Sequence, residues 1–450
     1  MKSASPADKA ASAICRYRWT YPLVNLDTGE VKTCCHTPGQ IVEQKDLDSH
    51  GTEVFLNGGY QVERRKEMLQ GVRHESCVYC WKMEDNGVRS PRHGADSFAE
   101  YFNRFGQSGG FADLIDRSRV DKSMLRSSHP LLLEIILGNT CDLKCMYCSF
   151  VFSSSWEQEM RRNSELAPWR TLPVAPQGFE DKFWLWFRET CPSLEYISFI
   201  GGEPTLIPKF YTMLERLFEI YEKLGRDKRP TIGIISNFNA NEKHFGRFIE
   251  MLPRLTSRFQ VLLLASVDTT GPQAEYIRNG LKWDRLERNV RRVLELRLPN
   301  LDFTINPTIS AFSVTTMIRL LKLAKSMQDE YDFPVALGRN MVVTPAHYSP
   351  LVLTPDFASH IDECVEFVRS SIDPRHPIGY HGDWNMYVDF LQGIAAAIRN
   401  GRPDPADRRQ CYEATRKSDE RRRTDFLAVF PEYRDFMKLC ADQAAEKGHA

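Results

Sequence analysis

The chain has 450 residues, 42% of them hydrophobic and 26% charged, proportions of a globular protein large enough for more than one unit; they exclude a disordered or fibrous chain. Fifty-nine Lys and Arg balance 59 Asp and Glu, so bulk charge favours neither nucleic acid nor an anionic membrane as a partner. The start, MKSASPADKAASAI, lacks a signal-peptide core, and the longest apolar runs, such as VLLLA at 261–265, fall far short of the roughly 20 residues of a membrane span; the expected compartment is the cytoplasm.

Residues 1–104 read as a small cysteine-rich module of short segments and turns such as DTG and NGG. In ICRYRWTYPLVNLDTGEVKTCC, Cys15 is followed by an extended stretch, a turn at Gly29 and then Cys34, which is how a hairpin brings two thiols together. Cys35 competes for the same place, and the spacing from Gly29 favours Cys34. SCVYCWKMEDNG adds Cys77 and Cys80. In a reducing compartment such thiols are metal or cluster ligands before they are disulfides. Four thiolates complete a site, and both zinc and a [4Fe–4S] cluster fit it. Residues 105–127, with GQSGG, read as a linker.

From 128 to 345 short apolar runs alternate with amphipathic helices. Strands are predicted at 131–137, 194–200, 231–236, 259–267, 301–309 and 335–343. Helical patterns such as FYTMLERLFEIYEKLG, EKHFGRFIEMLPRL and WDRLERNVRRVLELR lie between them. Near-continuous apolar strands separated by helices indicate an α/β fold with a parallel sheet, and six such units predict a partial (β/α)6 TIM-like barrel. Residues 346–450 read as a helical C-terminal extension, as in FLQGIAAAIRN. There Arg408, Arg409 and Arg421–Arg423 are expected on solvated helix faces. Cys191, Cys364, Cys411 and Cys440 are expected as inert buried thiols.

In such folds chemistry gathers in the loops at the carboxyl ends of strands. CDLKCMYC, Cys141 to Cys148, directly follows the first strand of this set, and GGEP, Gly201 to Pro204, follows the second. A closed zinc site needs four ligands, and this loop has three. Either a distant histidine completes it, or the three thiolates hold a cluster with one open iron.

Cys-x3-Cys-x2-Cys with an aromatic, Tyr147, before the last cysteine resembles the cluster loop of the radical S-adenosylmethionine (SAM) enzymes, which also carry GGE at the end of the second strand. The resemblance implies a [4Fe–4S] cluster on Cys141, Cys145 and Cys148. The open iron of that cluster would bind the amino and carboxylate groups of SAM. One electron then cleaves the S–C5′ bond, and a 5′-deoxyadenosyl radical takes hydrogen from a substrate C–H bond. ASVDTTGPQAEYIRNGLKW resembles the family's fourth-strand signature and assigns Ser266 and Arg278 to SAM's ribose and carboxylate. ISNFN places Asn237 at the end of the third strand, where the subgroup has a threonine-asparagine pair and this chain has serine first. Tyr147, Gly201, Gly202, Glu203, Asn237, Ser266 and Arg278 are the expected cofactor-binding set.

The N-terminal cysteines resemble the SPASM/twitch auxiliary module of the same family, which implies a second [4Fe–4S] cluster on Cys15, Cys34, Cys77 and Cys80. The order departs from the family, whose module usually follows the barrel. The implied activity is oxidative modification of a peptide, with an electron donor such as flavodoxin or ferredoxin; the alternative is the same chemistry on a small metabolite, sugar or nucleotide. No residue is assigned as hydrogen-atom donor; Tyr380, His381, Arg339 and Asn340 are polar groups that either face the mouth or serve as packing or surface residues. The reading from another class is a zinc scaffold in which both cysteine groups are structural.

Overall fold

The computed structural model describes residues 13–94, 125–127, 130–167, 171–225, 229–371 and 384–445. Six strands, β4 (Leu132–Ile136), β6 (Tyr196–Ile200), β7 (Thr231–Ser236), β8 (Val261–Ala265), β10 (Leu301–Ile305) and β12 (Val335–Leu337), lie side by side in chain order. All five pairings between them are parallel. Each predicted strand is present, although two are divided. LDFTINPTI breaks after Ile305 into a further strand, β11 (Thr308–Ile309), and VALGRNMVV breaks after Leu337 into β13 (Asn340–Met341); β11 and β13 pair with each other.

The sheet does not end where the sequence reading sets a module boundary. β1 (Leu23–Asn25) pairs parallel with β4, and β2 (Glu30–Lys32) and β3 (Gln40–Ile41) continue outward as an antiparallel meander, giving nine strands. Residues 23–41 are thus an extension of the sheet, not a body standing apart from it. A two-residue bridge pairs β5 (Lys144–Cys145) with β9 (Arg278–Asn279).

Side chains alternate across a strand, so the sheet has two cores. Leu133 and Ile135, Ile197 and Phe199, Ile232 and Ile234, and Leu263 and Phe303 pack beneath the connecting helices. Those helices have apolar positions at helical spacing. In Pro208–Lys223, Phe210, Met213, Leu214, Leu217, Phe218 and Tyr221 are all buried, and each such ring or chain contributes about 1.5–3 kcal/mol. The opposite face carries Leu132, Tyr196, Leu262 and Leu264, and these pack with Cys15, Tyr17, Trp19, Tyr21, Cys34 and Cys77 of the N-terminal segment. The N-terminal residues therefore form the second core of the sheet.

The C-terminal extension is helical as expected, with Ala358–Ser371 packed on Trp384–Asn400 and Pro405–Arg422 on Arg434–Ala445. Arg422 departs from the expectation of a solvated face: its side chain is 4% exposed and pairs with Glu159, Nη2 to Oε1 3.1 Å. Arg421 also pairs with Glu165, and Arg408 donates to the Val352 and Leu353 carbonyls. Glu159, an opposite charge on a separate helix, draws Arg422 inward. Cys191, Cys364, Cys411 and Cys440 are all buried. Among the described residues no helix is long and apolar enough to cross a membrane. Most of the 105–127 stretch, with Tyr380 and His381, lies outside the described residues.

Tyr196 fits on the second face because β7 carries glycine beside it; a Cβ at Gly233 would lie 2.0 Å from the Tyr196 hydroxyl. Gly233→Ala overpacks this layer and is expected to cost about 1–3 kcal/mol in denaturant melts of the apoprotein. Adding Tyr196→Leu should recover most of that loss. Equal costs of Gly233→Ala with and without the ring would refute this packing.

Candidate functional site

The loop 141–148 is held from four directions. Its own β5 lays Cys145 directly opposite Arg278 of β9, and the Met146 N–H donates to the Ile277 carbonyl at 2.9 Å. Arg278 is 6% exposed, and its guanidinium grips Asp268 through two bonds, Nε and Nη2 each at 2.9 Å. Its third nitrogen, Nη1, lies 3.8 Å from the Cys145 sulfur. The Tyr147 hydroxyl donates to the same Asp268 carboxylate at 2.6 Å, and the Thr308 N–H donates at 2.8 Å. Arg278 therefore does not pair with Glu275, the surface partner its sequence neighbourhood offers; Glu275 instead accepts from the Trp283 N–H.

A second grip comes from the ends of β6 and β7. Glu203 is 1% exposed, and its carboxylate accepts from the Asn237 N–H at 2.6 Å, the Thr205 hydroxyl at 2.6 Å and the Ser236 hydroxyl at 2.9 Å. Burial pushes its pKa up to about 7, with these donors holding it down against that trend. The Asn237 side chain donates to Asp142 Oδ1 at 2.8 Å, and Asn239 donates to Asp142 Oδ2 at 2.7 Å. Both asparagines of ISNFN thus fasten the cysteine loop, and the Asn237 amide lies 4.0 Å from the Cys141 sulfur.

Gly201 and Gly202 have φ of +80° and +34°. A Cβ on Gly202 would stand 2.4 Å from the Thr140 carbonyl, while Glu203 donates its N–H to that same carbonyl at 2.7 Å. Only glycine allows this approach between the two loops.

The third grip is the run Ser153–Ser155. Ser153 caps the helix Ser154–Arg162 and donates to the Leu143 carbonyl at 2.6 Å. Ser155 donates to the Cys141 carbonyl at 2.8 Å. The fourth runs through Glu159, which binds Lys144 of the loop at 2.5 Å on one side and Arg422 on the other. Trp156 lies under the Arg422 guanidinium, 4.7 Å away, and donates its indole N–H to the Cys145 carbonyl at 2.8 Å.

The expected residues accordingly gather at the carboxyl ends of β4, β6, β7 and β8. Ser266 is half-buried just past β8, its N–H bound to the Ser236 carbonyl at 2.8 Å. Asp142, Asn239 and Glu159 were not singled out from the sequence, and Asp268 was given no role there. Asp268 alone had a signal, since it stands two residues after Ser266 in the SVDTT segment.

The thiols of the loop influence one another electrostatically. Burial pushes Cys145 up to about 12, with the Arg278 guanidinium opposing and Cys148 adding to the rise. Cys141 is likewise raised, by burial first and by Cys145 second. Such thiols stay protonated until a cation displaces the proton, which suits a metal or cluster ligand and not a standing nucleophile.

Cys15, Cys34, Cys77 and Cys80 line one cavity. Arg18, 2% exposed, donates to the Cys77 sulfur at 3.1 Å. Burial and the neighbouring Cys34 and Cys77 thiolates push Cys15 up to about 12. Cys34 is buried and has φ of +132°, a strained conformation for a residue with a side chain, whereas Cys35 is exposed. Among the described residues no three Cys, His, Asp or Glu side chains converge closely enough to ligate a single metal ion. The four thiols surround a space, with the buried Arg18 guanidinium on one sulfur.

A second cavity, of about 190 Å³, lies between the N-terminal segment and the second face of the sheet. Cys34 and Cys35 form part of its wall, and Arg339 and Asn340 line it.

Asp268→Asn leaves the buried Arg278 charge without its partner and is expected to cost about 3–5 kcal/mol in denaturant melts of the apoprotein. Glu275→Gln, which keeps an acceptor for the Trp283 N–H, is the control and should cost under about 1 kcal/mol. Equal effects would refute the pairing.

No family model and no curated protein matches the chain. Two solved structures overlap it in part. Native anSMEcpe with bound AdoMet shares 16% identity at a TM-score of 0.37, over 54% of this chain and 61% of that chain. Streptococcus suis SuiB bound to precursor peptide SuiA shares 17% at 0.34, over 72% and 57%. The chain thus spans about three-fifths of these solved chains, and overlaps at such scores leave its function to be argued from its own residues.

Proposed function

We propose that the chain is a radical SAM enzyme that removes a hydrogen atom from a substrate C–H bond. The observation that carries this reading is the pairing of Cys145 with Arg278. It joins the three-thiol loop at the end of β4 to the signature segment that follows β8, two regions more than 100 residues apart that the resemblance had linked by motif alone.

Cys141, Cys145 and Cys148 would hold a [4Fe–4S] cluster, and when bound this cluster and SAM supply one-electron cleavage of the S–C5′ bond and hence a hydrogen-atom acceptor. The protein positions the components and keeps water out. Gly201 and Gly202 let the β6 loop lie against the cysteine loop. Asn237, Ser266 and Arg278 bound the same rim, with Asn237 and Arg278 each directed at a thiol sulfur. Tyr147 is fixed through Asp268. Glu203 acts from behind, its carboxylate spent on Asn237, Thr205 and Ser236.

Cys15, Cys34, Cys77 and Cys80 would hold a second cluster, which with four thiolates supplies electron transfer and no open iron. Such a group would supply the acceptor for the second electron of a two-electron oxidation, the substrate radical losing a proton as it gives up that electron. The substrate is either a side chain of a peptide or a small molecule.

The test is anaerobic reconstitution with iron and sulfide, an iron count, and assay of 5′-deoxyadenosine from SAM after reduction. About eight irons are expected, with deoxyadenosine formed by the wild type and absent from Cys145→Ala. Bound zinc with intact SAM would sink the proposal and favour the scaffold reading. The same preparation separates the two neighbouring cysteines: Cys34→Ser should fall to about four irons and Cys35→Ser should keep about eight. The reverse result would reassign the ligand.

A further inference from the structure

Glu134 stands in the middle of the apolar strand β4, in register with Ser198 of β6 and, through it, with Gly233 of β7. Its side chain belongs to the second face, is 6% exposed and lines the cavity of about 190 Å³. A water needs only about 10–15 Å³ of such space, so the cavity has room for a small organic group. Ser198 donates to one carboxylate oxygen, Oε1, at 3.2 Å. Tyr21 is a hydrogen-bonding neighbour of the carboxyl, and His36 and Lys32 are the cationic side chains nearby; the other oxygen, Oε2, is wholly buried and makes no hydrogen bond of normal geometry. A buried acceptor left unmade costs about 1–3 kcal/mol, more when charged, and neither the sheet nor the loop network uses this one.

Part of the remaining wall is aromatic: Tyr17, Tyr21, Tyr196 and Phe390. Ring faces beside a desolvated carboxylate attract a cation. Arg89 and Arg339 line the cavity as well, so an occupant of one sign throughout is disfavoured. A molecule with an ammonium at one end and an acceptor group at the other meets both.

We propose that this cavity is a substrate site in which Glu134 receives a primary ammonium group, carried by a free amine-bearing small molecule or by the side chain of a peptide. The Oε2 atom accepts from the ammonium, the aromatic rings flank it, and the Asn306–Asn340 amide pair, joined at 2.7 Å, borders the cavity near the ends of β10 and β12. The assignment as substrate site rests on the radical reading above, because the cavity includes Ile235 and Leu264, each within two residues of Ser236 or Ser266 at the rim. The binding itself needs no turnover.

The experiment titrates the reconstituted full-length protein with lysine and norleucine, both Nα-acetylated so that the lysine side chain carries the only ammonium of the pair, by ligand-observed saturation-transfer NMR. Lysine should bind at least tenfold tighter than norleucine, and Glu134→Gln should erase the difference. Equal binding of the two probes to the wild type overturns the proposal whether or not the variant folds, as does a lysine preference that survives in a folded Glu134→Gln protein. Gly-Lys-Gly run against free lysine separates the sources: tighter binding of the tripeptide supports a peptide side chain, and its exclusion supports a free small molecule. A lysine preference in a protein that forms no deoxyadenosine keeps the amine site and removes the radical reading. Deoxyadenosine formation without that preference does the opposite.

Discussion

Arg278 and Asp268 are a charged pair withdrawn from water, with side chains 7% and 0% exposed. Taking two such groups out of solvent costs several kcal/mol per ion, and only close geometry with every remaining lone pair satisfied offsets it. Asp268 meets that condition by accepting four bonds, two from Arg278 and one each from Tyr147 and the Thr308 backbone. These donors come from the cysteine loop, the segment after β8 and the segment after β10. The demand that one carboxylate be satisfied therefore fixes the mutual position of three regions far apart in sequence. Asp142 works the same way on a smaller scale, drawing in Asn237 and Asn239.

The second organising constraint is that a sheet has two faces and both must be covered. Helices cover one. On the other, an all-apolar filling would have left a second core of ordinary kind; here the N-terminal segment supplies tyrosines, a tryptophan and thiols, and β4 supplies a carboxyl. Such a layer packs less completely, and the residual space is the cavity beside Glu134. The C-terminal extension reaches the site from the opposite direction. The charge chain Lys144–Glu159–Arg422 ties the helix Pro405–Arg422 to the residue before Cys145, so a segment with no motif of its own bears on the loop that has one.

Strand and helix periodicity made the six parallel strands legible in the sequence, because a two-sided apolar strand and an amphipathic helix each leave a one-dimensional trace. The positions of CDLKCMYC and GGEP followed from that order. What stayed hidden was whatever depends on a partner far along the chain. YPLVNLDTGEVK gives the signal of a small hairpin, and nothing in it states that Leu23 and Val24 pair with Glu134 and Ile135. Arg422 reads as a solvated cation until Glu159 is seen beneath it. Glu134 reads as an irregularity within LLLEIIL, since a single acid between leucine and isoleucine shows neither which face it occupies nor what space opens before it. The ordering of Asn237 is similar: its place at a strand end was visible, but its attachment to Asp142 was not.

The unusual order of the two cysteine groups acquires a physical sense from the same pairing. A module that precedes the six-strand unit in sequence would be remote from the strand ends if it folded alone. Because β1 is hydrogen-bonded to β4, the turn after β2 is carried onto the second face, and Cys34 and Cys35 reach the wall of the cavity. These two residues are adjacent, with Cα atoms about 3.8 Å apart. One of them is turned, at the cost of a φ of +132°, toward the space it shares with Cys15, Cys77 and Cys80. A strained residue of this kind costs on the order of 1–3 kcal/mol and persists only where its surroundings hold it. The strained residue sets one thiol of the N-terminal group at the boundary of the space that Glu134 lines. On the proposed reading, Cys34 would be both a ligand of the second cluster and part of the wall of the substrate cavity, a proximity that follows from strand pairing and not from the order of the segments along the chain.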